Sequence, residues 1–211
     1  MGAMQRTFEE LLASVGTVAH KTVPFPRLQD IAQAGFEAVN AAYKSLGGVL
    51  MSAELNLRSW DLEFDGVAVE LDEYLHFNRY RAITLQAPEY ALLPRFPKVT
   101  YQDFCNRFET ECLDAGGYGG KWSNRSCEHQ FGMGSAHKVL EGGGAPRWKQ
   151  RAFYDFVKDL APLTVGVKVA RVAIWDVVMD SGVNRLVKDI LFQPTTGSAE
   201  ALAALVRART G

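Results

Sequence analysis

The segment WDLEFDGVAVELDEYLHFNRYR, Trp60 to Arg81, sets six carboxylates beside one histidine and two arginines. Clustered carboxylate oxygens suit a hard divalent cation such as Mg²⁺ or Mn²⁺. A neighbouring imidazole can move a proton, and a guanidinium can hold phosphate. Which chemistry is available depends on which side chains share a face. Asp65-Gly66 is the signature of a two-residue hairpin turn. With the turn there, Phe64 faces Val67, Leu62 faces Val69 and Trp60 faces Leu71, all on an apolar face. Glu63 then faces Ala68, Asp61 faces Glu70 and Ser59 faces Asp72 on the opposite face. Alternation makes both strands agree on this register, and a slip of one residue would scatter both sets.

Directly opposed, Asp61 and Glu70 have Cβ atoms about 4.5–5.5 Å apart, with Asp72 two residues along. Like charges that close weaken a sheet. The arrangement therefore calls for a bound cation, for basic partners, or for a carboxyl that keeps its proton. Mg²⁺ or Mn²⁺ on Asp61, Glu70 and Asp72 could activate water beside a scissile phosphate. The competing reading is a solvated strand face with dispersed charge; Glu63 and Glu73 are assigned to plain surface. His76 could serve as a general base. Arg79 and Arg81 could contact phosphate or pair with the hairpin acids.

A second group is Cys105, Cys112, Cys127 and His129, spaced C-x6-C-x14-C-x-H in a glycine-dense segment. Three thiolates and an imidazole form an accepted tetrahedral set for structural Zn²⁺. Cys105 and Cys112 on one straight helix would lie about 10 Å apart, so a shared ion requires the helix to end between them. Buried thiols are the alternative. The loop GGYGGKWSNRS lacks phosphate-loop spacing. It does carry Lys121, Trp122, Asn124 and Arg125, which could hold phosphate and stack a base, or form an ordinary surface loop. Trp148 and Trp175 are assigned to the core.

The elements that would position these groups follow from periodicity and breakers. Helices are expected over residues 5–15, 28–46 (closed by Gly47-Gly48), 77–85, 101–113, 147–160 and 198–209, with β structure over 57–75 and 164–179. Residues 86–146 read as a Gly/Cys-rich insertion with little core of its own. Helix, hairpin, insertion, helix and strand in that order predict one α/β domain over 1–211 with a mixed sheet.

A net charge of −1 argues against a generic nucleic-acid coat, but its distribution is polarised. Glu54 to Glu73 holds seven acids and one base, Arg58, whereas Lys121 to Arg151 holds six bases and two acids. Brought together, these would hold a cation and a polyanion, or simply salt-bridge one another. No apolar run is long enough for a membrane span, so no membrane association is expected. Three cysteines without a signal pattern point to a reducing, cytoplasmic setting.

Asp61, the hairpin and Glu70-Leu71-Asp72 resemble the metal site of the PD-(D/E)XK, or restriction-endonuclease-like, nuclease superfamily. The branch they are most similar to carries E-x-D and includes the very-short-patch-repair-like endonucleases, with His76, then Lys149-Gln150-Arg151, then Val167 to Trp175 following in order. The resemblance covers about Leu28 to Leu85 and Arg147 to Val178. It implies an αβββαβ core and metal-dependent hydrolysis of phosphodiester bonds, in DNA, serving bacterial repair, restriction or defence. It further implies Asp61, Glu70, Asp72, His76 and Lys121 as catalytic residues and Arg79, Arg81, Arg125, Lys149 and Arg151 as nucleic-acid contacts. A dimer is compatible with it. Two departures stand out. Position 72 is Asp where the family has Lys, so Lys121 or His76 takes that role, or the chain is a nuclease-fold module that binds nucleic acid or a protein without catalysis. The 86–146 insertion is also foreign to the core pattern.

Overall fold

The structure, a computed structural model, describes residues 2–57 and 59–210, except the side chain of Ala34; Arg58 lies outside the described residues. In chain order the elements are α1 (Ala3–Ala13), β1 (Val18–Ala19), α2 (Gln33–Ser45), β2 (Leu62–Phe64), β3 (Val67–Asp72) and α3 (Arg79–Thr84). There follow α4 (Lys98–Arg107), α5 (Glu109–Gly116), α6 (Arg125–Phe131), α7 (Pro146–Asp159) and α8 (Ala161–Thr164). The chain then runs through β4 (Val169–Ala173), β5 (Val177–Asp180), β6 (Val183–Leu186), α9 (Val187–Phe192) and α10 (Ser198–Arg209). A four-stranded mixed sheet has the order β1-β2-β3-β4, and β5-β6 form a separate antiparallel pair. The α/β expectation with a mixed sheet is met. Among the described residues no helix is long and apolar enough to cross a membrane.

The hairpin follows the arithmetic of its turn. Asp65 (φ 49°) and Gly66 (φ 78°) are both left-handed, as a type I′ turn demands. Leu62 pairs with Val69, Glu63 with Ala68 and Phe64 with Val67. Leu62, Phe64, Val69 and Leu71 enter the main core beneath the sheet, together with Phe8, Leu12, Phe77, Tyr101 and Phe156. The ladder stops at Leu62, three pairs earlier than expected: Asp61 with Glu70, Trp60 with Leu71 and Ser59 with Asp72 do not pair in it. Trp60 does not face Leu71. It crosses to the other side, packs with Ala68, Ala161 and Val169, and donates its indole N–H to the Pro24 carbonyl at 3.1 Å. The backbone N–H of Leu71 is satisfied instead by Oδ2 of Asp61, at 3.0 Å. Glu63, assigned to the surface, is buried and accepts from the backbone N–H groups of Thr22 and Val23 at 2.8 and 2.9 Å.

β3 and β4 run parallel, with Ala68 opposite Val169 and Asp72 opposite Ala173. A parallel pair needs a crossover, and α7 supplies it. Trp148, Ala152, Phe153, Phe156 and Val157 bury one side of that helix. The β region expected at 164–179 is broken. Its first residue, Thr164, ends α8, β4 starts only at Val169, and a turn after Ala173 diverts β5 into the second sheet, where Ser181 (φ 52°) and Gly182 (φ 84°) reverse the chain. Helix α2 falls between β1 and β2 rather than ahead of the sheet, and α1 leads instead.

The 86–146 segment is better cored than its glycines suggested. Tyr90, Tyr101, Phe104 and Cys105 join the main core, while Cys112, Trp122, Phe131 and Ala145 join a second one around Tyr43, Trp148 and Phe153. The single helix expected over 101–113 breaks at Phe108, whose ring stacks on Trp175 at 3.9 Å.

Candidate functional site

β3 and α7 lie side by side, and this contact assembles the charged groups. Along β3, Glu70 and Asp72 point to the α7 side. Along α7, Arg147, Arg151, Asp155, Lys158 and Asp159 recur at intervals of three and four and face the sheet or the groove beside it. The result is two adjoining constellations.

The first is open. A cleft of about 560 Å³ is lined on its floor by Asp61 and Glu70 and on its walls by His76, Arg147, Gln150, Arg151 and Lys158, with Asn124, Ser126 and Tyr154 at its rim. Glu70 Oε1 accepts from Lys158 Nζ at 2.6 Å and from the Asp61 backbone N–H at 3.2 Å. Burial drives the Glu70 carboxyl up to about 7, with Lys158 pulling the other way and Asp61 adding to the rise. Burial likewise raises the Asp61 carboxyl, again partly offset by Lys158. The expected juxtaposition of Asp61 and Glu70 is therefore present. Two of the compensations that their proximity demanded are also present: a basic partner and raised proton affinity.

The second constellation is closed. Arg171, in the middle of β4, is buried at 2% exposure. Its guanidinium donates to Asp72 at 2.6 Å, Asp159 at 2.8 Å and Asp155 at 3.2 Å, and lies 3.9 Å from Glu70. Arg81 Nη2 donates to the second oxygen of Asp159 at 2.6 Å, and the Tyr90 hydroxyl donates to the same oxygen at 2.5 Å. Tyr101 donates to Asp72 at 2.9 Å. His76 bridges the two constellations: its Nδ1 lies 2.8 Å from Asp155 and 3.1 Å from Asp72. Burial alone would raise Asp155, yet His76 and Arg171 outweigh it and hold that carboxyl well below the usual range.

Among the described residues, Asp72, His76 and Asp155 form the one group of three whose ligand-type atoms lie within 4.8 Å of one another. Arg171 already supplies the cation there, so this trio does not fit a metal. Asp61 and Glu70 fit one better. Both are oxygen donors facing a polar cleft, and Mg²⁺ characteristically takes one or two carboxylates and keeps several waters.

Several expected site residues lie elsewhere. Asp72 does not line the cleft; Arg171 and Tyr101 hold it in the interior. Arg81 is buried against Asp159 and Tyr90 and cannot reach a polyanion. Arg79 lies at the surface in a two-pronged pair with Glu109, at 2.9 and 2.8 Å, so neither arginine pairs with the hairpin acids. Lys121 donates to the Ala115 carbonyl at 3.0 Å and does not line the cleft. Trp122 is buried and donates to the Ser135 carbonyl, so it offers no stacking face. Lys149 packs its ammonium over the Tyr80 ring at 5.5 Å, and Arg125 is exposed beyond the cleft lining. The zinc set does not assemble. The helix does break between Cys105 and Cys112, but the two thiols enter different cores. Burial pushes each of them up to about 12. Cys127 caps α6 by accepting from the Asn124 N–H at 3.1 Å, and His129 is exposed beside Glu54.

Lys158 and Arg171 were missed. Lys158 lay in an ordinary amphipathic helix. Arg171 did carry a signal: a lone arginine inside the apolar run VGVKVARVAIW must find anions once that strand is buried.

The sheet, its parallel crossover and this acid-floored, basic-walled cleft define a mixed α/β protein with a charged groove along the β3–α7 seam. A family model described as "Family of unknown function (DUF7255)" matches residues 41–193, well over half of the chain, and the chain belongs to that family. The matched span contains both constellations. Comparison with curated proteins and with solved structures returned no match.

Proposed function

We propose that this chain is a metal-dependent nuclease of restriction-endonuclease-like type, acting on DNA. The observation that carries the reading is the meeting of Asp61 and Glu70 with Lys158, Arg147 and Arg151 in one cleft. Cation ligands and phosphate-binding groups there share a single space. The order α1, β1, β2, β3, α7, β4 agrees with an αβββαβ core, with the first three strands antiparallel and the fourth parallel to the third. On this reading α2 and residues 74–145 are elaborations.

Asp61 and Glu70 would hold Mg²⁺ or Mn²⁺. When bound, such an ion polarises a phosphate oxygen and makes a coordinated water more acidic. The lysine missing at position 72 has a counterpart in Lys158, which reaches Glu70 from the crossover helix and brings positive charge to the phosphate side of the cleft. Asp155 and Asp72 hold Nδ1 of His76, which leaves Nε2 as the nitrogen available for proton exchange. Arg147 and Arg151 neutralise the strand being cut.

A second reading is a nuclease-fold module that binds nucleic acid or a protein without cutting. The 2.6 Å Lys158–Glu70 contact favours it, because that lysine occupies a carboxylate that a metal would need. The deciding test is cleavage of plasmid, linear and single-stranded DNA and of RNA, with Mg²⁺ or Mn²⁺ against EDTA. Metal-dependent cleavage that disappears in Glu70→Gln supports the nuclease. No cleavage by a folded wild type, with retained nucleic-acid binding, supports the module.

A further inference from the structure

Among the described residues, each lysine or arginine lining the cleft has a hydrogen-bond partner except one. Lys158 is committed to Glu70, and Arg147 donates to Oε1 of Gln150. Arg151 is different. Its Nη1 is enclosed by protein and has no hydrogen-bond partner among the described residues, and no ion pair involving it is formed there. Burial lowers its proton affinity, and the nearby Asp155 only partly restores it. Asp155 is in any case taken by Arg171 and His76. A half-buried arginine with no hydrogen-bonded counter-ion gains only partial compensation for its desolvation from the carboxylates around it, Asp155, Asp72 and Glu73. With Nη1 closed off, an incoming anion would be met by the guanidinium N–H groups on the cleft side, which have no hydrogen-bond partner among the described residues.

The position of Arg151 says more. It lines the 560 Å³ cleft and also a second cavity of about 300 Å³ reached past Gly2, Gln5 and Glu73. Asp61 and His76 line both as well. The two spaces therefore adjoin across Asp61, His76 and Arg151, with Glu70 lining only the larger, and leave room on either side of an anion held by Arg151. A terminal phosphate would need only one of these spaces, whereas a strand passing through uses both.

Resting on the nuclease reading, we infer that Arg151 anchors an internal phosphate of a single nucleic-acid strand that threads both cavities past Asp61 and Glu70, and that this anchoring needs no metal ion.

The test is binding in EDTA of a fluorescent four-residue thymidylate strand, with and without a 5′-phosphate, to wild type and Arg151→Gln. Arg107→Gln, which removes a surface arginine paired with Asp103, serves as control. The expected result is equal binding of both strands by wild type, weakened at least about tenfold in Arg151→Gln and unchanged in Arg107→Gln. Inorganic phosphate should compete. Arg151→Gln should melt at or above the wild-type temperature, since it removes a half-buried charge with no hydrogen-bonded partner; a clear fall would mark Arg151 as structural and overturn the inference. So would undiminished binding by Arg151→Gln. Binding only of the 5′-phosphorylated strand would replace threading with end capture. Cleavage is scored separately with Mg²⁺. Binding that behaves as stated but without cleavage keeps the anchor and removes the nuclease. Cleavage with EDTA-phase binding indifferent to Arg151 keeps the nuclease and removes the anchor.

Discussion

Two groups of carboxylates adjoin along the seam between β3 and α7, and they behave oppositely. Around Arg171, three aspartates are saturated by a guanidinium fork, a second arginine and two tyrosine hydroxyls. At the cleft, Asp61 and Glu70 share one lysine and are pressed toward their protonated forms. A buried acid that is fully matched holds its charge and serves the fold. One that is under-matched and opens to a cleft is poised to accept a cation or a proton.

The contrast can be broken most forcefully at Arg171. Arg171→Leu leaves Asp72, Asp155 and Asp159 without their central cation, and breaking a buried pair from one side typically destabilises by about 3–5 kcal/mol. That is a large share of the roughly 5–15 kcal/mol available to a protein. Urea unfolding should show a variant that is largely unfolded or far less stable; near-wild-type stability would mean that the network can be emptied at no cost.

Next comes the pH response, which separates the two groups. The Glu70 carboxyl sits at about 7 in the folded protein against 4.5 ordinarily. A raised acid contributes stability that is fully present below its unfolded value and lost as pH climbs through the folded one. Melting temperature should therefore fall between about pH 4.5 and 7, by the equivalent of up to about 3 kcal/mol. Glu70→Gln should flatten that slope. An unchanged slope in the variant would assign the response to other groups.

Lys158→Met is a milder intrusion. It keeps much of the aliphatic stem against the Trp60 ring, over which Nζ lies at 5.4 Å, and removes the charge beside Glu70. A loss of about 1–3 kcal/mol is expected, with Glu70 driven further toward its neutral form. Cleavage should fall more than stability does if Lys158 acts on the phosphate side. Arg79→Ala should matter least. Its pair with Glu109 is at the surface, so no more than about 1 kcal/mol should be lost, and nucleic-acid affinity should be unchanged.

What could be read from the sequence follows the range of the interaction. The hairpin was legible because Asp65-Gly66 and two alternating strands over-determine one register, and that register alone placed Asp61 beside Glu70. The C-terminal helix was legible at residues 198–209 for the same local reason. Long-range partners were not. Nothing near Glu70 in sequence names Lys158, and the fate of Asp72 depends on an arginine in a strand that only the parallel crossover brings alongside. Trp60 illustrates a nearer limit: the alternation held through Leu62, then yielded to burial of an indole on the opposite face. The Gly-rich segment misled for another reason. Its aromatic residues and thiols were hidden by the glycines between them, which made it look short of core and in need of a metal.

The parallel seating of β4 against β3 has a consequence for how the molecule comes into being. Arg171 and Asp72 are 99 residues apart in the chain, and Lys158 and Glu70 are 88 apart. Such distant pairings form late, because the loop between them must close first. During synthesis the hairpin emerges with Glu70 and Asp72 lacking Lys158 and Arg171, and the set is complete only when the chain has grown past residue 171. The cleft along the β3–α7 seam is thus absent from the nascent chain and arrives with the last third of the sequence, when the strand that stabilises the fold also completes the groove.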